Sequence, residues 1–277
     1  MVPQIRRSGL ESYQMQKNVS KTWHGLPPDI VSKVERCVAA GCAQKLHNAD
    51  SYIFFRADDI AVPGAQFAHL LEVFAQNHVP LCLAVVPAWL TRPRWLALKC
   101  VAKNFASRWC WHQHGWRHVN HEFDGKKQEF GPVRSRVDLE HDIRRGRRRL
   151  ENLLGKSFFP VFTPPWNRCD QKTLELLKEM DYAAISRSRG SKPPPPQGLL
   201  NFDVNVDLHT RKEKRPVVGW DNLFNDLQQA IASGRCGIMI HHQLMNEAAF
   251  DFLEILLTAL VRNKQLNLVH FEDLLLI

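Results

Sequence analysis

The sequence predicts an α/β chain folded as an irregular, TIM-like (β/α) barrel of about seven to eight strands. Three observations carry this. From residue 50 onward, short β-rich runs alternate with helical patterns, which calls for parallel strands joined by right-handed crossovers. About eight such runs recur, which favours a barrel over an open doubly wound sheet. The chain has 277 residues with no tandem repeat and no second composition regime, and α/β barrels of this size commonly form one domain. Residues 51–277 are therefore expected to be the barrel, and residues 1–50 an N-terminal extension.

Taken in order, the extension reads as an unstructured polar leader followed by one helix in "LPPDIVSKVERCVAAGCAQKL", entered through Pro28 and Asp29. "YIFF" (52–55) opens the strands and "GAQFAHLLEVFAQN" follows as a helix. Then come "LCLAVV" (81–86), the helical "PRWLALKCVAKNF", and the strand "RWCWH". "DIRRGRRRLENLLGK" (142–156) is a basic helix with Ile143, Leu150, Leu153 and Leu154 toward one side. Next are "FFPVFT" (158–163), the helical "DQKTLELLKEM" and the strand "YAAIS" (182–186). "SRSRGSKPPPPQG" (186–198) replaces a helix with an extended, proline-rich connection, where the barrel should be irregular. "NFDVNVD" (201–207), a helix in "DNLFNDLQQAIASG", "GIMIHH" (237–242), a helix in "EAAFDFLEILLTALVRN" and "LNLVHF" complete the alternation.

Composition narrows the function classes. No apolar run approaches the roughly 20 residues of a membrane span, and the start of the chain has no signal-peptide pattern. Seven cysteines with no C-x-x-C pair argue against a disulfide framework or a cysteine zinc knuckle and fit a reducing compartment. A cytoplasmic location is the expectation. The net charge of +9 peaks in the basic helix; a solvated helix face, not nucleic-acid binding, is the expected meaning. Nothing in the sequence specifies an oligomeric state.

In such barrels chemistry gathers at the carboxyl ends of the strands, and four strand ends carry candidates. "RADDI" sets Asp58 beside Asp59, and adjacent carboxylates there call for a nearby cation. Within "WCWHQHGWRHVNH" (109–121), His114 and His118 are spaced so that a helical turn would put both rings on one face. Two histidines and a carboxylate are a recurrent ligand set for catalytic zinc, with the fourth position left to water. His112 lies within the strand and His121 fits an outer role. "TPPWNR" (163–168) has two prolines that would hold Trp166 rigidly at the mouth, where an indole suits the apolar face of a sugar. After "GIMI", His241 and His242 should point to opposite faces, so one of them reaches the pocket.

Together these elements resemble the polysaccharide deacetylase family, metal-dependent carbohydrate esterases with a NodB-type domain, from about residue 50 to the C-terminus. The resemblance implies that Asp58 is the catalytic base and that Asp59, His114 and His118 hold the metal. It makes "TPPWN" a groove wall, with Trp166, Pro165 and Asn167 toward substrate. By the register of "IMIHH" it gives the proton-donor role to His242 rather than His241. Thr163 stands where the family has an arginine bracing the catalytic aspartate, which leaves Arg56 or Arg168 as the substitute. The fourth motif is not recognisable, so Asp203 or Asp207 in "FDVNVDLH" is the expected acid partner of the histidine.

The implied activity is hydrolysis of an N-acetyl group from an amino sugar or glycan precursor, with Zn2+ as the expected metal. A positive mouth would favour a phosphate-bearing precursor. The alternatives are a non-catalytic carbohydrate-binding protein on the same fold and a hydrolase of another C–N amide, such as a deformylase.

Overall fold

The computed structural model describes residues 19–44 and 51–276. The first part of the leader and the tail of the first predicted helix lie outside them. Seven of the eight strand runs singled out above give one strand each, and "NFDVNVD" (201–207) instead splits between two short strands. The strands are β1 (Tyr52–Ile60), β2 (Leu81–Val85), β3 (Trp109–His114), β4 (Phe158–Thr163), β5 (Ala184–Ile185), β6 (Leu200–Asn201), β7 (Val206–Asp207), β8 (Arg235–Ile240) and β9 (Asn267–Leu268). The first eight make one parallel sheet in the order β6-β5-β4-β3-β2-β1-β8-β7, and β9 pairs with β1. Read cyclically, this is the one-to-eight order of a (β/α) barrel with its seam between β6 and β7. Both seam strands have only two residues, and β6 follows the helix-free connection predicted over 186–198. Across that connection the buried Arg187 donates to the Pro193 carbonyl at 3.0 Å.

Helices α1 (Ile30–Ala43), α2 (Ala65–Gln76), α3 (Arg92–Val101), α4 (Arg136–Leu154), α5 (Gln171–Glu179), α6 (Pro216–Ala232) and α7 (Glu247–Arg262) cover the sheet, and the short α8 is Phe271–Leu274. The basic helix α4 starts where Ser135 accepts the Asp138 N–H, and it buries Leu139, Ile143, Leu150 and Leu154 as the 3.6-residue period requires. α1 belongs to the same core as the barrel helices. A Cβ on Gly41 would lie 2.8 Å from Ile231 Cβ in α6, so only glycine permits this helix crossing. Ahead of α1, the buried Trp23 donates to the Leu208 carbonyl at 2.9 Å and packs edge-on against Trp220.

The barrel interior is layered. At one end Phe54, Cys82, Cys110, Phe202 and Met239 surround Phe271 of α8, whose ring lies 5.2 Å from those of Phe54 and Phe202. α8 thus stoppers the barrel. Toward the carboxyl ends of the strands the lining becomes polar, with Arg56, Asp58, His112, His114, Thr163 and Ser186 all buried. Buried polar groups at this density have to satisfy one another, and they converge on one site. None of the seven cysteines forms a disulfide, and no helix of the described residues is long and apolar enough to cross a membrane.

Candidate metal centre

Adjacent residues of a regular strand face opposite sides, yet Asp58 and Asp59 both reach the barrel mouth. A bulge makes this possible. Ala57 pairs with Leu83 and Ile60 with Val85, so three steps on β1 match two on β2. The extra residue is absorbed where Asp59 adopts φ +62°, a backbone region that aspartate tolerates better than most residues. β1 consequently runs on through "RADDI" instead of ending at Phe55.

The second turn departs from the helical geometry expected for an i,i+4 pair. β3 ends at His114, and residues 115–118 form a bend with φ +55° at Gly115 and +62° at His118. The two imidazoles still meet, with ring centroids 5.2 Å apart. Thr163 orients the first of them: its carbonyl accepts from His114 Nδ1 at 2.9 Å, which leaves the Nε2 lone pair directed at Asp59.

Asp59 Oδ1 stands 3.2 Å from His114 Nε2 and 3.3 Å from His118 Nε2. Asp59, His114 and His118 are the one group of three ligating side chains among the described residues whose donor atoms all lie within 4.8 Å of one another. Asp59 Oδ1 is buried and has no hydrogen-bond partner. Lone pairs of one oxygen and two nitrogens facing each other without a proton donor fit a cation. Bonds of about 2.0–2.2 Å at tetrahedral angles would space such donors by roughly 3.3–3.6 Å, close to the two Asp59–imidazole distances.

Beside this cluster, Asp58 is gripped by Arg56 from within the same strand. Arg56 Nε donates to Oδ1 at 2.8 Å and Nη2 to Oδ2 at 2.9 Å. The guanidinium also reaches Ser186 Oγ at 2.8 Å and Asn167 Oδ1 at 2.7 Å. Burial works against the Asp58 charge, but Arg56, helped by His114 and His241, outweighs it and holds the carboxyl below its usual range. Of the two arginines considered as substitutes for the absent brace, Arg56 occupies the position. Arg168 instead donates to the Lys127 carbonyl at 3.3 Å.

Strand alternation separates His241 from His242. Met239 belongs to the barrel interior, whereas Ile238 and Ile240 pack in the helix-side core, so His241 continues the interior face. Its charge acts on both Asp58 and Asp59. His242 is buried with its ring 5.7 Å from Phe67 of α2. The expected acid partners do not reach either ring: Asp207 accepts the His209 and Thr210 N–H groups at 3.0 and 2.9 Å, and Asp203 accepts from Asn201 at 2.7 Å. Each is occupied by its own turn. In their place stands His209, whose Nδ1 accepts the His241 backbone N–H at 3.2 Å.

Several of these imidazoles are kept neutral. Burial, then the Arg56 charge, pushes His112 down to about 3. Burial takes His242 to about 4 against the pull of Asp59, and burial with His241 and His242 holds His209 well below the usual value. In the unfolded chain such rings titrate near about 6.5. Below that pH the unfolded state binds more protons, so stability should fall on acidification until the folded values are reached. The expected slope is about 1.4 kcal/mol per pH unit for each such histidine. Urea midpoints measured from neutrality down to about pH 5 check this; a flat profile contradicts it.

The mouth has two aromatic walls. Trp166 lies 4.4 Å from His118 between ring centroids and Trp89 lies 5.8 Å from it, and both indoles are half-buried. Trp89 follows β2 in "VVPAW", a strand end that the sequence reading passed over. Pro165 is buried and packs against Gly115, so it supports the turn. Asn167 is half-buried and tied to Arg56. His121 stands apart from the cluster, in the field of Arg134 and Asp142. The arginines of α4 line an open groove of about 1030 Å³ whose walls include none of these residues. Many of them are paired locally: Arg144 with Glu140, Arg147 with Glu151, and Arg149 with the Pro87 and Leu90 carbonyls.

No protein-family model matches the sequence, and none of the curated proteins matches it. Solved structures do. A protein described as a polysaccharide deacetylase from Mycobacterium smegmatis aligns with a TM-score of 0.63 at 12% identity, over 83% of this chain and 91% of that one. Another so described, from Pseudomonas aeruginosa PAO1, gives 0.61 at 13% identity over 82% and 90%. The fold is that of the polysaccharide deacetylases. A third neighbour on this deacetylase fold, from Bacillus anthracis, is a pseudoenzyme of carbohydrate esterase family 4. It gives 0.53 at 10% identity over 83% of this chain and 66% of that one.

Proposed function

We propose that the protein is a metal-dependent deacetylase that removes an N-acetyl group from an amino sugar or glycan precursor. One observation carries the proposal: an unpartnered, buried Asp59 oxygen faces two imidazole nitrogens at ligand spacing, and the braced Asp58 stands next to it. The deacetylase neighbours support the same reaction class. Asp59 Oδ1, His114 Nε2 and His118 Nε2 would hold the ion, and a set of two histidines and one carboxylate suits zinc. When bound, a divalent ion supplies Lewis acidity, lowering the pKa of a water and polarising an amide carbonyl.

The chain's own residues do the rest. Asp58, kept ionised by Arg56, takes a proton from the attacking water. His241, on the interior face beside both carboxylates, delivers a proton to the departing amine. This reading moves the donor role from His242 to His241, with His242 filling the space against Phe67. Trp166 and Trp89 flank the ring carrying the amide, and the exposed Arg117 beside His118 favours a phosphate-bearing precursor. The products are acetate and a free amine.

The Bacillus anthracis neighbour favours one second reading, a carbohydrate-binding protein without turnover. Metal analysis of freshly purified protein, paired with acetate and formate release from a panel of N-acyl sugars, separates the two. The deacetylase reading expects a bound divalent ion and acetate release that a chelator abolishes and zinc restores. Metal without release of any acid would support binding alone, and a protein that takes up no metal would sink both the centre and the chemistry.

A further inference from the structure

The turn carrying His114 and His118 lacks the hydrogen bonds that a helix would give it. The backbone is left-handed at Gly115 and His118, and the N–H groups of Trp116 and Arg117 between them both reach one carboxylate, as in the concave amide nests that take an anion. Such donors are costly to leave unsatisfied when buried. The chain supplies the anion itself. Glu129 is fully buried and accepts the Trp116 N–H at 3.2 Å and the Arg117 N–H at 2.6 Å. The His118 N–H also acts on its carboxylate.

Loop geometry brings Glu129 back to this spot. His121 donates to the Gln128 carbonyl at 2.9 Å, and Gln128 N–H donates to Asn120 Oδ1 at 2.9 Å, so residues 119–128 close on themselves. The remaining faces of the turn are also held. Gln113 Nε2 donates to the Gly115 carbonyl at 2.9 Å, and the Trp116 carbonyl accepts from Ala88 at 3.0 Å. A Cβ on Gly115 would lie 2.3 Å from Glu129 Oε2 and 2.6 Å from Pro165 Cδ. Carboxylate, proline and glycine are fitted to one another. Gln113 of β3 holds the turn at the Gly115 carbonyl, and Glu129 gathers the amides of residues 116–118 that lead on to His118.

We propose that Glu129 is a positioning residue of the metal centre, acting through the backbone of residues 116–118 to set the approach of the His114 and His118 nitrogens. The inference rests on the metal reading above. Ligand bonds of about 2 Å tolerate little misplacement, so a loosened turn should fold yet bind its ion poorly.

The test is cobalt affinity by competitive chelator titration on the whole chain, with unfolding curves in parallel. Glu129→Ala should weaken cobalt binding about 10–100-fold, the range typical of lost outer-shell support. Glu129→Gln keeps an accepting oxygen but turns an NH2 toward the amides, so its loss should be smaller. It also decides the matter should the alanine variant not fold. Ser135→Ala removes the α4 cap without touching the turn, and its affinity should match the wild type. Wild-type affinity in both Glu129 variants overturns the inference alone, as does an equal loss in Ser135→Ala, since affinity would then merely follow stability. A wild type that binds no cobalt overturns the metal reading along with it.

Discussion

Asp58→Asn should keep its metal and hydrolyse N-acetyl substrates about 10²–10⁴-fold more slowly, the usual contribution of a positioned general base. The substitution is nearly isosteric, and the amide oxygen can still accept one of the two hydrogen bonds from Arg56. What disappears is the capacity to take a proton from water. Because the proposed ligand atoms belong to Asp59, His114 and His118, metal content should be unchanged, and the loss should fall on kcat rather than KM. Turnover within tenfold of the wild type would remove Asp58 from the base role. The comparison belongs well below the melting temperature, since the variant leaves Arg56 buried with half its partner.

Arg56→Met should have the largest effect on stability, a loss of about 3–5 kcal/mol, as expected when one member of a buried ion pair is removed. Asp58 is 2% exposed and Arg56 0%. Without the guanidinium, the main charge opposing burial is gone and only His114 and His241 offset it, so the Asp58 pKa should rise above the unfolded value. The sign of its contribution then reverses. In the wild type the depressed pKa gives stability above the usual carboxylate range, lost as pH falls through the folded value. In the variant the carboxylate destabilises the fold once ionised, and the acid limb of the activity profile moves to higher pH. Arg56→Met combined with Asp58→Leu should recover much of the stability, because no charge is left stranded. Urea unfolding of the three proteins measures this. A single variant within about 1 kcal/mol of the wild type would mean that the pair is hydrated and not braced.

The residues brought together here were individually visible in the sequence, but several of their relations were not. "YIFF" and "GIMI" announce strands because they are short, continuous apolar runs, and the strand-end rule then points to Asp58, Asp59 and the two histidines of "MIHH". That rule would also have reached Trp89 in "VVPAW". The convergence of Asp58 and Asp59 depends on a bulge set by pairing with β2, and no local pattern in "RADDI" encodes it. His114 and His118 were paired for a helical reason, yet they meet across a bend. Arg56 could be named as a candidate brace only because two arginines stood nearby; its bidentate grip follows from i and i+2 sharing a strand face. Glu129 left no local signal, being eleven residues past His118 in a polar loop.

Strand–helix alternation, residue spacing and chemical type were enough by themselves to determine the barrel class, the polar strand ends and the candidate Asp59, His114 and His118 set that the fold brings together. Those properties are periodic or compositional, so a short window carries them. Only the tertiary structure decided that Asp59 bulges inward, that His241 rather than His242 lines the interior, and that a distant glutamate shapes the histidine turn. Each of these depends on register between strands or on closure of a loop, where the energy lies in contacts between segments far apart in the chain.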